Sequence, residues 1–222
     1  ADDLSSAAQF ANVDILGGHT EVTDAVTRAV TNATVIARQP RNQVLRGMRP
    51  GDDIVMTKYA AVEGTTILAE DFADRLSSVS VTMLDAARSL AGKLSIVAES
   101  RIAMQFGAVA MHDVTEGGVL GASWELGFAN KCAVSIDTAK IPVRDETRAL
   151  CAALSLDPLR LIGSGSLLIA CEDGQKLVNA LQKQDIPAAV IGRAIEGNKS
   201  FVDGLPLEEP HADVLYRLYS GE

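Results

Sequence analysis

The chain has 222 residues, of which 47% are hydrophobic, 22% charged and only 4% aromatic, enough to bury an apolar core without metal or disulfide staples. Its net charge is −9, from 20 basic and 29 acidic side chains, so its field repels phosphate backbones and disfavours nucleic acid as a partner. No run approaches the roughly 18 apolar residues of a membrane span, and no charged n-region followed by an apolar h-region opens the chain.

Residues 3–11 are rich in Ala and Ser and read as the end of a helix. Val13 to Leu16 follow as a short buried strand stopped by Gly17 and Gly18. Residues 25–37 alternate β-branched with small or polar residues, the pattern of a longer strand. A domain rarely opens on a helix running straight into a strand, so further residues are expected ahead of Ala1. Pro40 to Pro50 is polar and basic, and is the candidate domain boundary.

Beyond it, strand-like and helix-like segments alternate. Strands are predicted at Asp53–Thr57, Ala108–Met111, Ala133–Ile136, Ser166–Cys171 and Ala188–Ile191. Helices are predicted at Gly64–Leu76, Ser80–Leu90, Ile96–Phe106, Gly118–Ala129, Arg144–Leu154, Gly174–Gln184 and Asp213–Tyr219. The alternation argues an α/β fold. No internal repeat is present.

Cys132, Cys151 and Cys171 stand among apolar neighbours with no C-x-x-C spacing. They read as buried structural thiols of a reducing, cytoplasmic protein.

Three loops could carry chemistry. His112-Asp113-Val114-Thr115-Glu116-Gly117-Gly118 joins a buried strand to a helix. There Asp113 could hold a hard cation, Thr115 a phosphate oxygen, and free N–H groups an anion. Asp113 or Thr115 could equally cap the helix, which is the commoner role. Gly17-Gly18-His19-Thr20 could cradle phosphates or form an ordinary turn. Gly163-Ser164-Gly165-Ser166 lacks the P-loop Lys and precedes a strand, so it reads as a tight turn.

Taken in order, ILGGHTEVT, RPGDDIVMTKYAAVEGTTILAED, AMHDVTEGGVLGASWELG, LIGSGSLLIAC and AAVIGRAIEG resemble the aminoimidazole ribonucleotide (AIR) synthetase superfamily. That superfamily includes the purine cyclo-ligase, selenophosphate synthetase, thiamine-monophosphate kinase and the hydrogenase-maturation dehydratase. The resemblance runs from about residue 10 onward and is nearest to the hydrogenase-maturation (expression/formation) branch and its AIR-synthase-related relatives. It implies an α/β (α+β) protein of two domains. The N-terminal domain dimerises and binds ATP with Mg²⁺, and a C-terminal α/β sandwich domain closes over it. Residues 1–41 would then be the remnant of a truncated N-terminal domain, and 42–222 a complete C-terminal domain.

Carried over residue by residue, Gly17, Gly18, His19 and Thr20 fall on the family's glycine-glycine-polar-Thr nucleotide motif. Asp113 falls on the Asp beside the ATP–metal cluster, and Thr115, Gly117 and Gly118 on the adjoining loop. Three departures stand out. His19 occupies a position where many relatives have Asp. The Gly-rich segment and acidic metal ligands that the family places near its N-terminus do not occur in this sequence. The dehydratase acts on a Cys at its own C-terminus, whereas no Cys follows Cys171 here.

The function implied is ATP- and Mg-dependent activation of an amide- or carbamoyl-type group by phosphoryl transfer, on a small molecule or a peptide, in a homodimer. The alternative is a non-catalytic or regulatory domain that completes a partner's nucleotide site. No catalytic residue follows from the sequence; Glu63, Thr65 and Glu116 are candidates from their loops alone.

Overall fold

The computed structural model describes residues 2–38 and 45–220; most of the polar stretch expected as a boundary, residues 39–44, lies outside them. The chain divides into two compact units, residues 1–44 and 45–222.

The first unit holds one helix, α1 (Asp2–Ala11). It stops at Asn12, whose φ of 55° is left-handed. The strands expected at Val13–Leu16 and 25–37 do not form: both stretches are irregular, and none of residues 2–38 is buried. Leu16 is 91% exposed and Val22 99%. A strand is stable only when a neighbour takes its N–H and C=O groups, and among the described residues of this unit no second strand is present.

The second unit contains β1 (Asp53–Thr57), α2 (Val62–Asp71), α3 (Val81–Arg88), α4 (Val97–Gln105), β2 (Ala108–Asp113) and α5 (Gly118–Asn130). These are followed by β3 (Ala133–Ile136), α6 (Asp145–Ala153), β4 (Leu167–Cys171), α7 (Gly174–Gln182), β5 (Ala188–Ile195), β6 (Phe201–Val202), β7 (Leu205–Pro206) and α8 (Tyr216–Ser220). The strands form one sheet in the order β2-β4-β1-β5-β3-β6-β7. Every pairing is antiparallel except β3 with β6. The rule that places ligands at the carboxyl ends of open parallel strands therefore does not locate a site here.

Register explains the layering. Ile54 pairs with Ala170 and Met56 with Leu168, while Val55 pairs with Ile169, and alternate residues of a strand face opposite sides. Ile54, Met56, Leu168 and Ala170 pack with Val119, Leu120 and Leu126 of α5. Val55, Ile169 and Cys171 pack with Leu177 and Leu181 of α7 and Ala103 of α4. A third core lies among the helices: Leu68 and Phe72 meet Ala87, Leu150, Cys151, Leu161, Leu215 and Leu218. The three cysteines are all buried and free, as the sequence predicts.

Caps and turns follow familiar chemistry. Ser80 accepts the N–H of Met83 (3.3 Å) at the start of α3, and Asp173 that of Lys176 (3.0 Å) at the start of α7. Asp203 and Gly204, at φ of 50° and 80°, join β6 to β7 in a two-residue turn of the kind that favours Asp-Gly.

Two details bear on the margins of the sheet. The segment before β1 runs beside β2: Gly47 N–H donates to Val109 O (3.0 Å), Met48 N–H to Asn130 Oδ1 (3.0 Å), and Arg46 pairs with Asp52 (2.8 Å). At the far side, β7 is two residues long and ends in Pro206.

Candidate functional site

Three loops converge at one end of the sheet: residues 58–64 after β1, 113–118 after β2, and 162–166 before β4. Gly163 N–H donates to Thr115 O (3.3 Å), Gly64 N–H to Ile162 O (2.9 Å) and Val114 N–H to Ser166 O (3.0 Å). Ser166 Oγ donates to Tyr59 O (2.6 Å), and Leu167 N–H to Thr57 Oγ1 (3.0 Å). Glycine is required for this closeness. A Cβ on Gly163 would lie 2.7 Å from Val114, and one on Gly64 2.4 Å from Leu161, both inside van der Waals contact. Gly163 to Ser166 is the tight turn the sequence predicts, and here it braces the other two loops.

On the middle loop, Asp113 is exposed, with its Oδ1 4.0 Å from His112 Nδ1. The ring is held from both sides: Nδ1 donates to the Asp113 carbonyl (2.6 Å), and Nε2 lies 3.5 Å from Glu125. Thr115 is half-buried, and Glu116 is exposed.

Gly117 and Gly118 take positive φ, 77° and 62°, and their N–H groups are not free for an anion. Gly117 N–H donates to Asp213 Oδ2 (2.8 Å), Gly118 N–H to Thr115 O (3.1 Å) and Leu120 N–H to Leu159 O (3.1 Å). For Gly117 and Gly118 the expectation of free donors is corrected: a carboxylate of the same chain, remote in sequence, takes the N–H of Gly117, and Thr115 O that of Gly118.

Asp213 is buried and also accepts the N–H of Leu215 (2.9 Å). Burial pushes its pKa up, Glu116 adds to the rise, and the backbone donors oppose it. This long-range cap leaves no local sequence signal, because Asp213 reads as the first residue of the helix expected at Asp213–Tyr219.

Among the other sequence candidates, Thr65 is buried and spends its hydroxyl on Ala61 O (2.6 Å) and Thr147 Oγ1 (2.8 Å), a structural role. Glu63 is half-buried, and its Oε2 is fully buried with no hydrogen-bond partner in the protein. Gly17, Gly18, His19 and Thr20 lie in the first unit in irregular, exposed backbone. Added Cβ atoms on the two glycines would meet nothing within 4 Å, and His19 Nε2 is 3.8 Å from Glu21.

The three cysteines of the second unit are all buried. Burial raises the pKa of Cys151 to about 12 and that of Cys171 to about 11. Among the described residues no three His, Cys, Asp or Glu side chains stand together as a metal site, and no helix is long and apolar enough to cross a membrane.

Comparison with known proteins agrees with this architecture. The carbamoyl dehydratase HypE of Cupriavidus necator is 28% identical over 216 residues, covering 90% of this chain and 58% of that protein. HypE of Escherichia coli is 32% identical over 121 residues, covering 50% of this chain and 36% of that protein. The match thus spans 58% of the length of the first of these relatives and 36% of the second.

Among solved structures, E. coli HypE superimposes with a TM-score of 0.60 at 24% identity, over 78% of this chain and 54% of that one. Thiamine-monophosphate kinase of Stenotrophomonas maltophilia gives 0.59 at 22%, over 74% and 54%. A hydrogenase maturation protein HypE in complex with ATP gives 0.55 at 19%, over 77% and 54%. The profile of the AIR synthase related protein C-terminal domain matches residues 49–204, more than half of the chain, and the chain belongs to that family.

Proposed function

We propose that this chain forms part of an ATP-dependent enzyme that activates an amide- or carbamoyl-type group by phosphoryl transfer, as its carbamoyl dehydratase relatives suggest. The observation that carries this reading is the loop from Asp113 to Gly118. It carries the exposed carboxylate of Asp113 and, two residues on, the half-buried Thr115 on a backbone fixed by Gly163, Ser166 and Asp213. Such preorganisation is what phosphoryl transfer needs, because positioning and charge neutralisation contribute more than covalent help from the protein.

In this proposal Asp113 holds Mg²⁺, and Thr115 donates to a phosphate oxygen. The donor set fits: Mg²⁺ is commonly held by one or two carboxylates together with substrate phosphates, so a lone exposed aspartate suffices on the protein side. When bound, the ion neutralises charge on the phosphates. Gly17, Gly18, His19 and Thr20 contribute to the nucleotide site as the end of the ATP-binding and dimerisation domain, residues 1–41, with 42–222 as the C-terminal domain. The apolar side chains that the first unit leaves exposed, among them Leu16, Val22, Val30 and Ile36, support a role for that stretch in packing against further protein, including a second copy.

A second reading has its own support. The N–H groups of Gly117, Gly118 and Leu120 are engaged within the chain, so these three do not serve an anion. That favours a domain completing a partner's nucleotide site.

Thermal denaturation with and without ATP and Mg²⁺, on the natural full-length protein and on its Asp113→Ala variant, separates the two. The enzyme reading expects a rise in melting temperature that Asp113→Ala removes. No ATP-dependent rise in the full-length protein sinks it.

A further inference from the structure

We propose that Glu63 is a ligand-binding carboxylate, and that its buried oxygen receives an N–H group from a small molecule carrying a primary amide or amidinium. The starting observation is that Oε2 of Glu63 is buried and takes no hydrogen bond from the protein. A carboxyl oxygen removed from water without a partner is costly, and such groups in native proteins call for a specific explanation.

The ordinary role of a glutamate in the first turn of a helix is to complement the helix dipole. Glu63 does sit in the first turn of α2. That role, however, is served by a carboxylate in water and gives no reason to bury one of its oxygens.

Local looseness does not account for the orphan either, because the loop around it is clamped on several sides. Lys58 N–H donates to Pro187 O (2.6 Å), Ala60 N–H to Pro142 O (2.9 Å) and Gly64 N–H to Ile162 O (2.9 Å). Thr66 Oγ1 donates to the carbonyl of Glu63 itself (2.7 Å).

The cations of the neighbourhood have other partners. Lys58 spends all three ammonium protons, on Glu99 (2.6 Å), Lys93 O (2.9 Å) and Ser95 O (2.7 Å). Arg144 pairs with Glu146 and lies over the ring of Tyr59, 5.1 Å from its centroid. Neither Lys58 nor Arg144 is therefore the partner of Glu63 Oε2.

The chemistry of the missing partner follows from the acceptor. A carboxylate oxygen accepts N–H groups, most strongly charged ones, whereas Mg²⁺ keeps several waters about it, which suits the exposed Asp113 better than an oxygen buried as Glu63 Oε2 is. For that buried oxygen an N–H donor is the better match. The residue is half-buried, and its loop and the Asp113 loop are both packed against Gly163, the one at Ala61 and the other at Val114. This assignment deepens the proposed function and rests on it for the substrate class: the amide-type group to be activated would present its N–H to Glu63.

The test is an NMR titration of the chain with acetamidinium and, separately, with acetamide. The first probes a charged N–H donor and the second a neutral one. Expected are shifts centred on the backbone amides of Val62 to Thr65 with at least one of the two, and at least tenfold weaker binding of that probe in Glu63→Gln. Glu63→Asp, which draws the carboxylate back by one methylene, should weaken it as well. Absence of shifts at residues 62–65 with both probes in the unsubstituted protein overturns the assignment whether or not the variants fold, and so does equal affinity in Glu63→Gln. Thermal denaturation of the full-length protein with ATP and Mg²⁺ is read independently. Amidinium binding without an ATP response leaves the Glu63 site standing and removes the phosphoryl-transfer reading; an ATP response without amide or amidinium binding does the reverse.

Discussion

Asp213 and Gly117 are 96 residues apart in sequence, yet the carboxylate of the first accepts the backbone N–H of the second at 2.8 Å. The last descended part of the chain thereby fixes the start of α5 and the loop that carries Asp113 and Thr115. Pro210 adds contact from the same segment, standing 3.3 Å from where a Cβ on Gly117 or Gly121 would lie.

Removing that carboxylate should be felt as the loss of a buried cap. Asp213→Ala is expected to lower stability by about 1–3 kcal/mol, with Asp213→Asn milder because one acceptor oxygen remains. The pH dependence has a definite sign. Burial raises the folded-state pKa of Asp213 above the ordinary 3.8, so the folded protein holds this proton more tightly than the unfolded chain. Its contribution is fully present below that ordinary value and is lost as pH rises through the elevated pKa. Urea midpoints measured from about pH 4 upward should show a downward component that Asp213→Asn removes.

The ion pair of Lys58 and Glu99 is buried at both ends, and it ties the exit of β1 to α4. Truncating one partner leaves the other charge unpaired in the interior. Lys58→Met or Glu99→Leu alone is expected to cost about 3–5 kcal/mol, and the double replacement much less. A double-mutant cycle in urea checks this; additive losses would contradict the pairing.

Glycine substitutions distinguish the two glycine loops. A Cβ on Gly118 would stand 2.5 Å from Leu159 O and 2.8 Å from Leu161 O, with the backbone at φ of 62°. Gly118→Ala is therefore expected to destabilise by about 1–3 kcal/mol. Gly17→Ala and Gly18→Ala meet nothing within 4 Å and should change stability by less than about 0.5 kcal/mol. A loss of nucleotide binding in those two variants, at unchanged stability, would report on function directly.

The thiols should be silent in the native protein. With Cys151 held protonated up to about 12 and Cys171 up to about 11, and all three cysteines buried, a thiol-reactive dye at neutral pH is expected to label them at the rate of unfolding. Fast labelling of any one without denaturant would refute the burial.

Much of the second unit was legible because its elements carry strong local signals. The unbroken apolar run Leu167–Cys171 is buried on both faces as β4, and Gly174–Gln182 shows helical periodicity behind an Asp cap. The β6–β7 hairpin was missed although Asp203-Gly204 is a strong turn signal, since strands of two residues display no periodicity. Val13–Leu16 and 25–37 carry the composition of strands, but pairing is a property of neighbours and those stretches find none within their unit. The three-loop cluster was legible only as separate glycine motifs. Its long-range bonds, Gly163 to Thr115 and Asp213 to Gly117, depend on a topology that no local pattern encodes. The orphaned oxygen of Glu63 has no signature in sequence, because burial of a single atom is decided by packing.

The short segment laid along β2 has a consequence for the solution behaviour of the sheet. An open strand edge is a template on which another chain can add, the first step toward fibrils. Here the bond from Gly47 to Val109, fastened by Arg46 and Asp52, takes up part of one margin. The opposite margin is only two residues long and ends in a proline that has no N–H to offer. Among the described residues, each margin thus offers an incoming chain less open edge than a free strand would.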